Sequence, residues 1–162
     1  MKTLWAPWRI EYIESDNNEG CIFCTKPAGS EDSKNMILER GKNCFSIMNK
    51  YPYNNGHIMI APYRHISDIT ILTDEENTEI FKYLKRNITA INNIMSPQGY
   101  NIGFNLGKTA GAGFDEHLHM HIVPRWNGDT NFMPVIADTK VMPEYIERTY
   151  KKILKELKEL KF

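Results

Sequence analysis

The sequence has no excess of either charge. Its twenty Lys and Arg cancel its twenty Asp and Glu, so nothing draws a polyanion or an acidic membrane surface onto the chain. Nucleic acid and membrane are therefore not expected partners. Cysteine is also scarce: Cys21, Cys24 and Cys44 are too few for a disulfide framework, and the close Cys21/Cys24 pair reads more readily as a metal or redox pair. No apolar run approaches transmembrane length, and Met1-Lys2-Thr3-Leu4-Trp5 does not resemble a signal peptide. The expectation is a soluble cytoplasmic protein. No repeat divides the chain, and no acidic cluster of the kind that holds magnesium is apparent. The 162 residues suit one domain, 1–162, with an aromatic arm over 1–20 and a helical extension over 140–162.

What the chain does have is histidine in one place. Three of its five histidines fall within His117-Leu118-His119-Met120-His121-Ile122-Val123-Pro124. Alternation with Leu118, Met120 and Ile122 has the period of a β-strand, which would place the three imidazoles on one face. Pro124 is expected to end that strand. Upstream, Met36–Glu39 and Cys44–Met48 read as strands joined by Gly41-Lys42-Asn43. Tyr51 to Gly56 is dense in turn residues and opens onto the short strand His57 to Pro62. Cys21-Ile22-Phe23-Cys24 reads as a turn, and 25–35 as a surface loop.

Thr73-Asp74-Glu75-Glu76 is a capping-box signature. The helix it starts carries Ile80, Phe81, Leu84, Ile88, Ile91 and Met95 at helical spacing, with Pro97 beyond its end. Tyr100–Leu106 reads as a strand, followed by the flexible loop of Gly107, Gly111 and Gly113. Asn127-Gly128-Asp129 is a turn. Pro143 suits the first turn of a last helix striped by Ile146, Tyr150, Ile153, Leu157 and Leu160. The expected class is α+β, an antiparallel sheet with one long central helix and a C-terminal helix.

A lone histidine is most often a hydrogen-bonded member of a polar layer, but three in alternation after a glycine-rich loop mark a working site. On a strand His117 and His121 are about 13 Å apart along the backbone. A zinc–nitrogen bond is only about 2.0–2.1 Å, so one zinc cannot hold all three. The three histidines must divide their labour. The glycine loop lacks Walker spacing, yet beside a histidine face its amides point to phosphate. A histidine attacking phosphorus would form a covalent phosphoramidate and split one displacement into two.

His117-Leu118-His119-Met120-His121-Ile122-Val123 resembles the signature of the histidine triad superfamily of nucleotide hydrolases and transferases. Asn49, Gly56 to Pro62 and Asn105 extend the likeness. Leu4 to Arg9, Asn49 to His57 and Pro124 to Phe132 resemble a longer branch that includes bacterial diadenosine tetraphosphate phosphorylases. The resemblance implies His119 as nucleophile on an α-phosphorus, oriented by the His117 carbonyl. It places His57 and His121 on the phosphoryl oxygens and Asn49 on the ribose side. Asn105 with Gly107, Gly111 and Gly113 would border the phosphates. The nucleotidyl group would then pass from His119 to water or inorganic phosphate, so that an adenine dinucleotide or AMP derivative is the expected substrate.

It further implies a structural zinc held by Cys21, Cys24, His65 and His117, no organic cofactor, and a homodimer sharing the long helix and sheet edges. Cys44 lies outside that pattern and reads as core. Other readings are a nucleoside phosphoramidase or adenylyl-sulfate hydrolase, or a nucleotide-binding regulatory protein without turnover. A sugar-1-phosphate uridylyltransferase is disfavoured, because that branch has Gln where His121 stands.

Overall fold

A computed structural model describes residues 20–111, 113–129 and 144–161. The arm expected over 1–20 lies outside them except for Gly20. So does Pro143.

The Cys21–Cys24 segment is not a turn. It opens a helix, α1 (Ile22–Ala28), whose N-cap Cys21 presents its carbonyl to the amides of Cys24 and Thr25, both at 2.9 Å. Phe23 and Pro27 are buried, so the helix is held by packing that its turn-rich composition conceals. The loop expected over 25–35 likewise contains a second short helix, α2 (Asp32–Asn35). Met36 closes α2 in the left-handed conformation at φ 58°, which delays the first strand by one residue.

Among the described residues five antiparallel strands follow: β1 (Ile37–Arg40), β2 (Cys44–Met48), β3 (Ile58–Pro62), β4 (Gly99–Phe104) and β5 (Met120–Arg125), in the order β1-β2-β3-β5-β4. The β1–β2 turn is closed by Glu79, whose carboxylate accepts from the amides of Lys42 (3.0 Å), Asn43 (2.6 Å) and Cys44 (2.7 Å). Glu79 belongs to α3 (Asp74–Met95), which begins in the expected capping box: the Thr73 hydroxyl accepts from the Glu76 amide, and the Glu76 side chain accepts from the Thr73 amide. The last helix, α4 (Ile146–Glu159), buries Thr149, Tyr150, Ile153 and Leu157.

The pleat sorts the side chains. Leu38, Cys44, Ile58, Ile60, Met120 and Ile122 pack with α3 and α4 on one face of the sheet. Ile37, Phe45, Ile47, Met59 and Ala61 pack with Phe23 of α1 on the other. In β5, His121 pairs with Met59 on one side and Gly103 on the other, so it shares the α1 face.

The histidine strand differs from expectation at both ends. Ladder pairing begins at Met120, leaving His117 and His119 in the approach to β5, where the Leu118 amide donates to the Ile66 carbonyl (2.6 Å). Pairing also runs through Pro124 to Arg125. Pro124 is tolerated because β3 has ended beside it: its carbonyl accepts from Asn54 Nδ2 at 2.9 Å, so its missing N–H faces no strand. Among the described residues, no helix is long and apolar enough to cross a membrane.

Candidate active site

His57 is the most deeply set of the five histidines, with no exposed surface. The turn before it is tightly packed. Gly56 sits at φ 76°, where a Cβ would press on Met95 Sδ at 3.2 Å, and buried Asn55 accepts from Thr149 Oγ1 of α4 at 3.1 Å. The Tyr53 amide donates to His57 Nδ1 (3.1 Å). Asn49 lies beside the same nitrogen at 3.3 Å through Nδ2, its orientation set because Oδ1 accepts from the Tyr51 amide at 2.8 Å. A backbone N–H is always a donor, so His57 Nδ1 is the acceptor and its proton resides on Nε2.

That proton points at His121. His57 Nε2 stands 2.9 Å from His121 Nδ1, so His57 donates and His121 carries its own proton on Nε2. His121 Nε2 is buried without a hydrogen-bond partner. Burial, then the neighbouring His119, hold the His121 imidazole down at about 4, so it is a neutral donor near pH 7. The Tyr53 ring stacks on His57 (4.9 Å between centroids) and leans on His121 (5.8 Å).

His119 is set the opposite way round. Its Nδ1 donates to the His117 carbonyl at 2.8 Å, leaving the Nε2 lone pair free. Burial lowers its affinity for a proton. Its ring meets His121 edge-on (4.7 Å, 70°) and stacks on Phe23 (4.6 Å, 26°). A free imidazole lone pair therefore stands beside a buried N–H donor. That pairing suits attack on an electrophile whose oxygens need a donor.

His117 faces elsewhere. Its Nε2 donates to the Pro62 carbonyl (2.9 Å), which frees Nδ1. Around that nitrogen lie Cys21 Sγ (3.3 Å), Cys24 Sγ (3.6 Å) and His65 Nδ1 (3.3 Å), with Cys24 Sγ also 3.4 Å from His65 Nδ1. Tetrahedral zinc requires about 3.3 Å between nitrogens and about 3.6 Å between nitrogen and sulfur. The four donors fit that geometry and lie within 4.8 Å of one another. With the two thiols this close, burial and then Cys21 push the Cys24 thiol up, a cost that a bound cation would relieve. Arg64, next to His65, is tied to α3 through Glu76 (2.6 and 2.7 Å).

The expected residues thus form two groups that share His117: Asn49, His57, His119 and His121 on one side, and Cys21, Cys24 and His65 on the other. Asn105 is half-buried at the end of β4. Gly107, Gly111 and Gly113 are exposed in the connection to β5, with Gly107 and Gly111 at φ 79° and 86° in open space. Sequence reasoning missed Phe23, Tyr53 and the Pro62 carbonyl. The first two had a signal: Phe23 lies between the cysteines, and Tyr53 lies in the turn leading to His57.

The HIT domain family model matches residues 30–128. The chain belongs to the HIT domain family. AP-4-A phosphorylase of Mycobacterium tuberculosis is 39% identical over 158 residues, covering 92% of this chain and 80% of that protein. Bis(5'-adenosyl)-triphosphatase of Dictyostelium discoideum is 29% identical over 117 residues, covering 72% and 77%. A Zn-bound histidine triad family protein from Mycobacterium smegmatis superposes at a TM-score of 0.68 with 26% identity, covering 86% of this chain and 94% of that one. That protein of the same fold was crystallised with zinc bound.

Proposed function

We propose that this HIT protein is a nucleotidyl-transfer enzyme that cleaves dinucleoside polyphosphates such as diadenosine tetraphosphate. The observation that carries the reading is the opposed protonation of two touching histidines: His119 offers a lone pair, and His121 offers an unpartnered N–H. The names of two relatives, a phosphorylase and a triphosphatase of adenine dinucleotides, support the substrate class.

His119 Nε2 attacks the α-phosphorus, the bond from phosphorus to the bridging oxygen breaks, and the departing nucleoside triphosphate takes the electron pair. The His117 carbonyl stabilises the imidazolium character that develops on His119, because Nδ1–H already donates to it. His121 Nε2–H, held in that tautomer by His57, donates to the phosphoryl oxygens. Asn49 serves the ribose side, while Asn105, Gly107, Gly111 and Gly113 border the phosphates. In the second step an oxygen of water or inorganic phosphate attacks the same phosphorus, the N–P bond breaks, and His119 recovers its lone pair. Zinc, if bound by Cys21, Cys24, His65 and His117, has four protein ligands and no open position, which makes it structural.

The chain works as a homodimer in this reading. β4 is an edge strand among the described residues, and it exposes Ile102 (43%) with Leu106 (47%) just beyond its end. An unpaired apolar edge of this kind suits pairing with a second copy. Free thiols and the substrate class suit the reducing cytoplasm.

The deciding experiment is a product assay on diadenosine tetraphosphate with and without inorganic phosphate. ADP plus ATP formed only with phosphate identifies a phosphorylase, and AMP plus ATP in its absence identifies a hydrolase. Full turnover by His119→Ala would remove the proposal.

A further inference from the structure

The two thiols of the four-donor cluster ride on α1, a helix of 7 residues with little of its own to hold it. Its N-cap Cys21 supplies no capping hydrogen bond from its side chain, no acid stands in its first turn, and Pro27 lies in its last. A helix this short is not stable by itself. Phe23 packs its inner side against Ile37, Phe45 and Ile47 of the sheet. Its last carbonyls, which lack helical partners, are taken by side chains from outside the helix. Arg40 Nη1 donates to the Pro27 carbonyl and Nη2 to the Gly29 carbonyl, both at 2.7 Å. Asn35 Nδ2 donates to the Lys26 carbonyl at 3.2 Å.

Arg40 is itself held from another side. Asp32 of α2 accepts from its Nε (3.0 and 3.2 Å) and from Nη2 (2.7 Å). Because Arg40 is the last residue of β1, its guanidinium ties the far end of α1 to the sheet edge and to α2 at once. Tyr63, two residues before His65, faces the same guanidinium. Only a planar fork of donors can serve this many acceptors in fixed directions.

We propose that Arg40 is a positioning residue for the metal cluster: by capping the last carbonyls of α1 while gripping Asp32, it sets the helix so that Cys21 and Cys24 stand opposite His65 and His117. It touches none of the four donors. Its effect is on the ordering that binding must supply. With the clamp in place the thiols are already presented; without it the metal must order α1 as it binds, and affinity falls. The inference rests on the four donors as a zinc site and is independent of nucleotidyl transfer.

The test is zinc competition against a chromophoric chelator on the full-length protein, comparing wild type, Arg40→Ala, Arg40→Lys and Leu157→Ala. Leu157 lies in the core on the opposite face of the sheet, so its truncation loosens the fold without touching α1. Zinc affinity should fall on the order of tenfold in Arg40→Ala and stay within about twofold of the wild type in Leu157→Ala. Arg40→Lys keeps the charge but reaches one group at a time, and should recover only part of the loss. Amide exchange over Ile22–Ala28 should quicken in Arg40→Ala while the amides of α3 keep their protection. Unchanged zinc affinity in Arg40→Ala overturns the proposal, as does an equal loss in Leu157→Ala, which would mark a general softening of the fold. Full recovery in Arg40→Lys overturns it too, by assigning the effect to charge alone. If the wild type takes up no zinc, the reading of the cluster fails, and exchange decides the clamp by itself: unchanged protection of α1 in Arg40→Ala removes it.

Discussion

Replacing His57 tests the relay of protons that sets up His121. His57→Ala removes the donor to His121 Nδ1, at present 2.9 Å away, and leaves that nitrogen buried and unpaired. The ring can then move its proton to Nδ1 and turn a lone pair where an N–H stood. Losing one preorganised donor of this type costs about 2.7–4 kcal/mol in the transition state, a fall on the order of a hundredfold to a thousandfold in kcat. Truncating a fully buried ring also opens a cavity, and large-to-small core changes typically cost about 2–5 kcal/mol of stability. Assays therefore belong well below the Tm of the variant, measured first. His57→Gln separates the effects, since a glutamine amide can present an N–H near the position of imidazole Nε2. It should recover to within about tenfold of the wild type. Rapid-quench single turnover on diadenosine tetraphosphate, following ATP release, reads the chemical step alone. The relay is wrong if His57→Ala reacts within about fivefold of the wild type, or if His57→Gln is no faster than His57→Ala.

Metal removal should be visible in stability. A ligand bound to the folded state at a thousand times its Kd adds about 4 kcal/mol, so a strong chelator should lower the Tm by about 8–16 °C, with zinc restoring it. An identical Tm with and without chelator would empty the Cys21/Cys24/His65/His117 cluster of its assigned role. Stability should also fall in acid. The His121 imidazole lies below its unfolded value, so its contribution is complete above about pH 6.5 and drains away as pH falls toward 4, a loss on the order of 3 kcal/mol measurable by urea titration across that window. His121→Asn should flatten that slope. Glu79→Ala strips the shared acceptor from three amides of the β1–β2 turn and should cost roughly 3 kcal/mol by urea unfolding with activity retained at low temperature. A change under about 0.5 kcal/mol would show that water replaces the carboxylate without loss.

Patterns confined to a few neighbouring residues were legible in the sequence. The capping box at Thr73 and Glu76, the spans of β2 and β3, and the alternation of His117, His119 and His121 all depend on side-chain periods of 2 or 3.6 and on partners within four residues. The family signature in the same stretch, read as a resemblance, also supplied the ligand set of the cluster. Of the residues assigned in that way, Cys21, Cys24, His65 and His117 lie together with Asn49, His57, His119 and His121 adjoining, whereas Asn105, Gly107, Gly111 and Gly113 lie half-buried or exposed in the connection from β4 to β5.

What tertiary structure decided was every matter of contact and orientation. Cys21 meets His117 across 96 positions, and His57 meets His121 across 64, so no local pattern encodes either distance. The helix over Ile22–Ala28 exists because Phe23 packs against the sheet and Pro27 is buried, although their neighbours Thr25, Lys26 and Gly29 look like a turn. Pro124 stays within a strand because β3 stops beside it and Asn54 takes its carbonyl. The protons of His57, His119 and His121 follow from a backbone amide, a backbone carbonyl and one another. Residue types alone place histidines on a face; only the fold assigns each ring nitrogen a partner, and with it a role.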